Sequence, residues 1–148
     1  VANQRCDTGL EAVERLIRVH GAQGALDVTQ RYVQERQAFG QAIGQFQNTR
    51  FTLAACATDI AAAQAFLNAS VDAYQRGDLS PEAASALKLH TSELMGRVAD
   101  QCLQLFGGYG YMAEYPIARF WTDARVLRIY GGTSEIMKEL VARGLLGR

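Results

Sequence analysis

Four groups of residues in this 148-residue chain have types and spacings that could do chemistry. The first is Tyr130-Gly131-Gly132-Thr133-Ser134-Glu135. Paired glycines let a backbone approach a ligand closely, and a Thr or Ser beside them caps the helix that follows. Helix-start N–H groups suit an anionic or electron-rich ligand. The second group is Arg36, Phe39-Gly40 and Gln47. It offers a guanidinium, an aromatic face and an amide around one turn. Arg suits a bidentate grip on phosphate, Phe can stack on an adenine, and Gln can hydrogen-bond it. On spacing alone, the commoner reading is a helix end with a surface Arg and a core Phe. The third group, Gln104-Leu105-Phe106-Gly107-Gly108-Tyr109-Gly110, reads by itself as a helix C-cap and a glycine turn. The fourth is Glu14-Arg15, which reads by itself as a pair of ordinary exposed charges, as most Glu-Arg pairs are. Between Glu114 and Arg125, the residues Arg119, Asp123 and Arg125 are available for structural ion pairs.

Long helices must position these groups. Only two prolines, Pro81 and Pro116, interrupt an alanine-rich chain. A first helix is predicted over about residues 10–35, with Leu10, Val13, Leu16, Ile17, Leu26 and Val33 apolar. Gly21 and Gly24 lower its propensity and predict a close neighbour. Residues 39–46 read as an irregular connection. A second helix, about 48–75, carries the stripe Phe51, Leu53, Ala57, Ile60, Ala63, Leu67, Val71 and Tyr74. Arg76-Gly77-Asp78 ends it. Ser80-Pro81-Glu82 starts a third helix as cap, N1 proline and dipole-matched acid. That helix carries Leu87, Leu94, Val98, Cys102 and Leu105 and stops at Gly107-Gly108. A short helix over about 117–123 follows, then one over about 134–146 with Ile136, Leu140, Val141 and Leu145 facing inward. The pattern predicts one all-α domain over residues 1–148, an antiparallel four-helix bundle.

Composition limits the function. The chain has 15 basic and 15 acidic side chains. It therefore has no basic excess to neutralise phosphates, and nucleic acid is not an expected partner. No apolar run is long enough to span a membrane. Cys6, Cys56 and Cys102 form no CxxC pair and fit buried, unpaired thiols in a reducing compartment. The chain begins with Val, as a piece of a longer protein would.

The segment from Arg128 to Ile136 closely resembles the catalytic turn of flavin-dependent acyl-CoA dehydrogenases. Many members place a Glu after the Tyr, where it removes the substrate proton; here Gly131 follows Tyr130 and removes nothing. In relatives that act on long or branched acyl chains, the Glu instead sits before an Arg on the first helix of this domain, and a small residue follows the Tyr. Glu14-Arg15 and Gly131 match both halves of that swap, which implies Glu14 as the base. Glu11 is the fallback carboxylate. The spacing from Glu14 to Arg36 is roughly one helical turn shorter than in the family. Losing four residues rotates a helix by about 400°, so the same face returns within about 40°, shifted by about 6 Å.

The resemblance also assigns the other groups. Arg36, Phe39 and Gln47 match residues that reach the FAD of a neighbouring subunit, with the Arg on the pyrophosphate. Gln104, Gly107 and Gly108 match a segment near the partner's FAD adenosine. Thr133 and Glu135 fall on the cofactor side of the turn; Arg15, Tyr130 and Gly131 fall on the substrate side. By helix-start chemistry alone, Glu135 caps or faces solvent. The likeness runs from about Leu10 onward and implies the C-terminal domain of a longer flavoenzyme. It implies FAD, an acyl-CoA substrate, an electron-transfer flavoprotein as acceptor, and a homo-oligomer built as a dimer of dimers. The setting implied is a bacterial cytoplasm or a mitochondrial matrix. The rival reading, supported by Gly131, is a non-catalytic helical interaction subunit.

Overall fold

A computed structural model describes the backbone of residues 8–147 and the side chains of residues 19–147. Three long helices, α1 (Thr8–Glu35), α2 (Gln47–Arg76) and α3 (Pro81–Phe106), precede two shorter ones, α4 (Pro116–Val126) and α5 (Ser134–Leu146). Local chemistry sets their ends. Gly77 closes α2 at φ 78°, and Asp78 N–H returns to the Ala73 carbonyl at 2.9 Å. That left-handed closure carries no Cβ penalty at glycine. Ser80 Oγ accepts from Ala83 N–H at 3.1 Å, and Pro81 opens α3. Thr133 Oγ1 accepts from Ile136 N–H at 3.4 Å to start α5.

The helices form the expected bundle, and particular contacts fix its directions. On α1 and α3, Gly21 meets Met95 and Tyr32 stacks on Phe106. Both pairs are 74 residues apart (95 − 21 and 106 − 32), so the two helices run parallel in one register. Cys56 bonds Gln101 and Phe66 meets His90, so α2 runs against α3. Trp121 donates to Asp100 at 3.0 Å and Arg128 reaches Glu93 at 3.4 Å, so α4 also descends along α3. Farther down, Gly144 of α5 leaves no room for a Cβ beside Glu82. Thus α4 and α5 together make the fourth wall, broken at residues 127–133.

The core is aliphatic and centred on α3, with Val19, Leu26, Leu67, Leu87, Leu94 and Val98 buried. Tyr32 and Phe106 lie 3.9 Å apart at 14°, and Tyr115 meets both rings edge-on at 6.1 and 6.0 Å. Such pairs add about 0.5–1.5 kcal/mol each beyond their buried area. Buried hydroxyls bond back within their own helices: Thr29 to the Ala25 carbonyl at 2.7 Å, and Thr91 to that of Leu87 at 2.9 Å. Cys56 and Cys102 are buried free thiols, as expected; Cys6 lies outside the described residues.

Several expectations need correction. On α2, Phe51 and Tyr74 are 64% and 41% exposed and Ala57 is exposed; Cys56 is buried instead. The helix packs a narrow line through Thr49, Cys56, Ile60, Ala63 and Leu67, so residues at its flanks stay in water. On α5, Ile136 and Leu145 are exposed and Met137 is the buried anchor, because this short helix presents one edge to α3. Residues 39–46 are ordered rather than irregular. Gln37–Ala38 (β1) pairs antiparallel with Gln41–Ala42 (β2), and a short 3₁₀ turn over Ile43–Gln45 follows. Phe39 and Gly40 both have positive φ, 52° and 82°, as a two-residue hairpin turn requires.

The close approach of α1 to α4 is testable. A Cβ at Gly24 would sit 3.1 Å from Phe120 Cζ. Gly24→Val is expected to cost about 1–3 kcal/mol through overpacking, read as a lower urea midpoint. An unchanged midpoint would contradict this contact.

Candidate functional site

Two separate clusters gather the candidate residues, and α3 carries both. The first lies at its C-terminal end. Phe106 ends the helix, and Gly107, at φ 57°, turns the chain into a 3₁₀ segment over Gly107–Tyr111. A cleft of about 620 Å³ opens there, lined by Arg36, Gln104, Gly107, Gly108, Tyr109 and neighbours that include Tyr32. A Cβ at either Gly107 or Gly108 would meet nothing within 4 Å, so bare backbone faces open space. The Arg36 guanidinium stands 5.2 Å over the Tyr109 ring. Stacking leaves its N–H fork available to an anion. Burial raises the Tyr32 hydroxyl above its ordinary pKa, and Arg36 opposes that rise.

The first cluster therefore unites Arg36, Gln104, Gly107 and Gly108, four of the expected cofactor residues. Phe39 and Gln47 do not line the cleft. Phe39 is not the core residue that spacing favoured: it is 96% exposed at the hairpin tip, 6.3 Å from the Phe46 ring. A rigid two-residue turn holds it out in water, where it is free to meet another molecule. Gln47 is exposed at the start of α2.

The second cluster is the turn between α4 and α5. Gly131 and Gly132 have φ 62° and 96°, a conformation L side chains rarely adopt. Three contacts tie the turn to α3. Lys88, only 5% exposed, donates to the Gly132 carbonyl. Ser134 Oγ donates to Glu93 at 2.6 Å. Arg128 reaches the other Glu93 oxygen at 3.4 Å. Gly96 makes room for this: a Cβ there would lie 3.2 Å from the Arg128 Cζ. Arg128 Nε is buried with no partner among the described residues. Within the turn, Ser134 N–H closes onto the Arg128 carbonyl at 3.2 Å.

Thr133 caps α5 and Tyr130 flanks the glycines, partly exposed. Glu135 is exposed; its own backbone N–H, then the Thr133 hydroxyl, hold its carboxyl below the usual range. It faces solvent in the first turn of the helix, one of the two outcomes that helix-start chemistry alone offered. Glu14 and Arg15 lie on α1, and their side chains fall outside the described residues, as does that of Glu11. Among the described residues, the ion pair on this side joins Arg128 to Glu93, while Arg119, Asp123 and Arg125 stay exposed.

Lys88, Glu93 and Tyr109 were not singled out from the sequence. Lys88 carried a usable signal. It precedes Met95 and Cys102 by one and two heptads, so a lysine sits on the buried line of α3. Glu93 carried none, since an acid beside that line looks like any solvated charge. No group of three or more His, Cys, Asp or Glu among the described residues could hold a metal ion, and no described helix is long and apolar enough to cross a membrane.

Comparison with known proteins identifies the family. The profile of the acyl-CoA dehydrogenase C-terminal domain matches residues 11–146. The mitochondrial long-chain specific acyl-CoA dehydrogenase of Rattus norvegicus is 46% identical over 118 residues, which is 80% of this chain and 27% of that protein. A caffeyl-CoA reductase-Etf complex subunit of Acetobacterium woodii is 36% identical over 125 residues, 84% of this chain and 33% of the relative. The crystal structure of acyl-CoA dehydrogenase from Geobacillus kaustophilus superimposes with TM-score 0.88 at 38% identity, over 91% of this chain and 36% of that one. The chain thus spans about a third of the length of the proteins it matches. Its bundle and the match over residues 11–146 make it a member of the acyl-CoA dehydrogenase family, through that family's C-terminal domain.

Proposed function

We propose that this chain is the C-terminal helical domain of a longer FAD-dependent enzyme that oxidises the α,β C–C bond of an acyl-CoA thioester to the trans-2-enoyl-CoA. The reading rests above all on the α1–α3 register. The pairs 21/95 and 32/106 share an offset of 74. The same offset brings position 14 level with position 88, and Lys88 holds the Gly132 carbonyl. Helix α1 runs unbroken from Thr8, so the register carries down to that level. In this reading, Glu14 shares the layer of the bundle that holds the Gly131-Gly132 turn.

In this reading, Glu14 takes the proton from the carbon next to the thioester carbonyl. Gly131 leaves free the space that a Glu would fill, and Arg15 and Tyr130 stand on the substrate side. When bound, FAD supplies the acceptor for the hydride leaving the next carbon. The residues present fit such a group. The open backbone at Gly107 and Gly108, the Arg36 fork and the Gln104 amide offer donors suited to a dinucleotide. Phe39 on its hairpin and Gln47 extend that surface, and Thr133 and Glu135 stand by the other flavin-facing turn. Glu93 and Gln104 are about 16 Å apart along α3, and by the family resemblance the two clusters serve two different FAD molecules across a subunit boundary. The account therefore includes self-association, as a dimer of dimers. The relative named as an Etf-complex subunit supports an electron-transfer flavoprotein as acceptor. A bacterial cytoplasm or mitochondrial matrix is the expected setting.

The second reading, a non-catalytic helical subunit, draws on Gly131 alone. One substitution separates the two. Glu14→Gln in the full-length protein is expected to keep its FAD but slow flavin bleaching by acyl-CoA by about 10²–10⁴, the usual weight of a general base. Adding Gly131→Glu should restore part of the rate, and Glu11→Gln should be nearly silent. Wild-type bleaching by Glu14→Gln would assign the base elsewhere. If the FAD-loaded wild-type protein is itself not bleached by acyl-CoA, the non-catalytic reading stands.

The 148 residues alone are expected neither to hold FAD tightly nor to turn over acyl-CoA, because one open wall leaves most of a ligand in water. Titration calorimetry checks this, and micromolar binding would contradict it.

A further inference from the structure

The tether between Lys88 and the glycine turn asks for a reason beyond packing. A buried ammonium is costly to desolvate and is retained where its donors are used. Lys88 is 5% exposed on the inward line of α3 and reaches 44 residues along the chain to the Gly132 carbonyl. A neutral apolar residue would fill that site with less desolvation. What the ammonium adds is direction. In a trans peptide the C=O of one residue and the N–H of the next point opposite ways. With the Gly132 carbonyl turned toward Lys88, Thr133 N–H must point away from it.

The glycines make such a lock necessary. Neither Gly131 nor Gly132 has a Cβ to restrict its backbone, so the turn has low intrinsic resistance to a peptide flip. A flip would present a carbonyl oxygen where an N–H stood, which reverses the local dipole. Ser134 and Arg128 fix the C-terminal and N-terminal flanks of the turn through Glu93, but both act outside the Gly132–Thr133 peptide. Lys88 acts on that peptide itself.

We propose that Lys88 is a positioning residue for the reacting centre: it holds the Gly132–Thr133 peptide in one orientation, with its N–H turned away from α3. The inference rests on the dehydrogenase reading and deepens it, because the turn so oriented is the one level with Glu14. A turn that flips misplaces its donors in the transition state more than it weakens ground-state binding. Loss of Lys88 should therefore fall on kcat rather than KM.

The test uses the full-length, FAD-loaded enzyme. Lys88→Met keeps the length and apolar bulk and removes the donor. Per bound flavin, bleaching by saturating acyl-CoA is expected to slow by about 10- to 100-fold, the scale of a misplaced reacting group, with KM moved by less than about threefold. Lys88→Arg, which keeps a cationic donor, should recover part of the rate. If Lys88→Met lowers the melting temperature yet bleaches at the wild-type rate per flavin, the lysine only fills the core and the proposal is wrong. Should Lys88→Met yield no flavin-loaded protein, Lys88→Gln replaces it. That side chain is one bond too short to reach the carbonyl, so the same slowing is expected, and a wild-type rate again overturns the proposal. A wild-type enzyme that holds flavin but is not bleached by acyl-CoA would instead remove the dehydrogenase reading, and this inference with it.

Discussion

The parallel register of α1 against α3 is the constraint on which the other features depend. Two dissimilar contacts set it. At one level Gly21 lets Met95 press against the α1 backbone; eleven residues on, Tyr32 stacks flat on Phe106. Sliding the helices by a turn would separate the rings and drive Met95 onto a residue with a side chain. Close packing makes such slippage expensive. With the register fixed, the end of α1 delivers Arg36 beside the glycines that terminate α3.

Helix α3 is thus the rail that spaces the two clusters, and its polar side chains are sorted accordingly. Thr91 and Ser92 satisfy their hydroxyls within the helix and leave the core sealed. Lys88 and Glu93 reach outward to the α4–α5 turn instead. The free thiols behave as core. Contact with Cys102, together with burial, pushes the Cys56 thiol upward. The polar contacts of α3 thus fall at two levels: near its middle, where Lys88 and Glu93 hold the α4–α5 turn, and at its C-terminal end, where Gln104 borders the cleft.

Much of this was legible in the residues. Ser80-Pro81 and the Thr133 cap fixed two helix starts, Gly77 one helix end, and Gly21 and Gly24 the close approach of neighbours, because each follows from backbone chemistry within a few positions. Arg36 was named in one group and Gln104, Gly107 and Gly108 in another, and the four converge on one cleft. Periodicity failed where burial depends on how many neighbours a helix has. It turned Phe51, Tyr74, Ile136 and Leu145 inward when only a narrow edge of each helix is covered. The exposed Phe39 was hidden for a different reason: a positive φ at a non-glycine residue follows from the hairpin around it, not from its own type. Lys88 was overlooked because a single lysine looks like a surface charge until its heptad partners Met95 and Cys102 are seen to be buried.

The proposed function requires the Glu14 carboxylate and the Gly131-Gly132 turn to share one reacting centre. The most direct measurement is a crystal structure of the full-length, FAD-loaded protein with a non-reactive acyl-CoA analogue bound. The account predicts the Glu14 carboxylate within about 3 Å of the proton-bearing α-carbon position, the reach a general base needs, with Arg36 turned to the flavin of another subunit. A Glu14 side chain pointing into solvent, with a carboxylate from another element at the α-carbon, would contradict it.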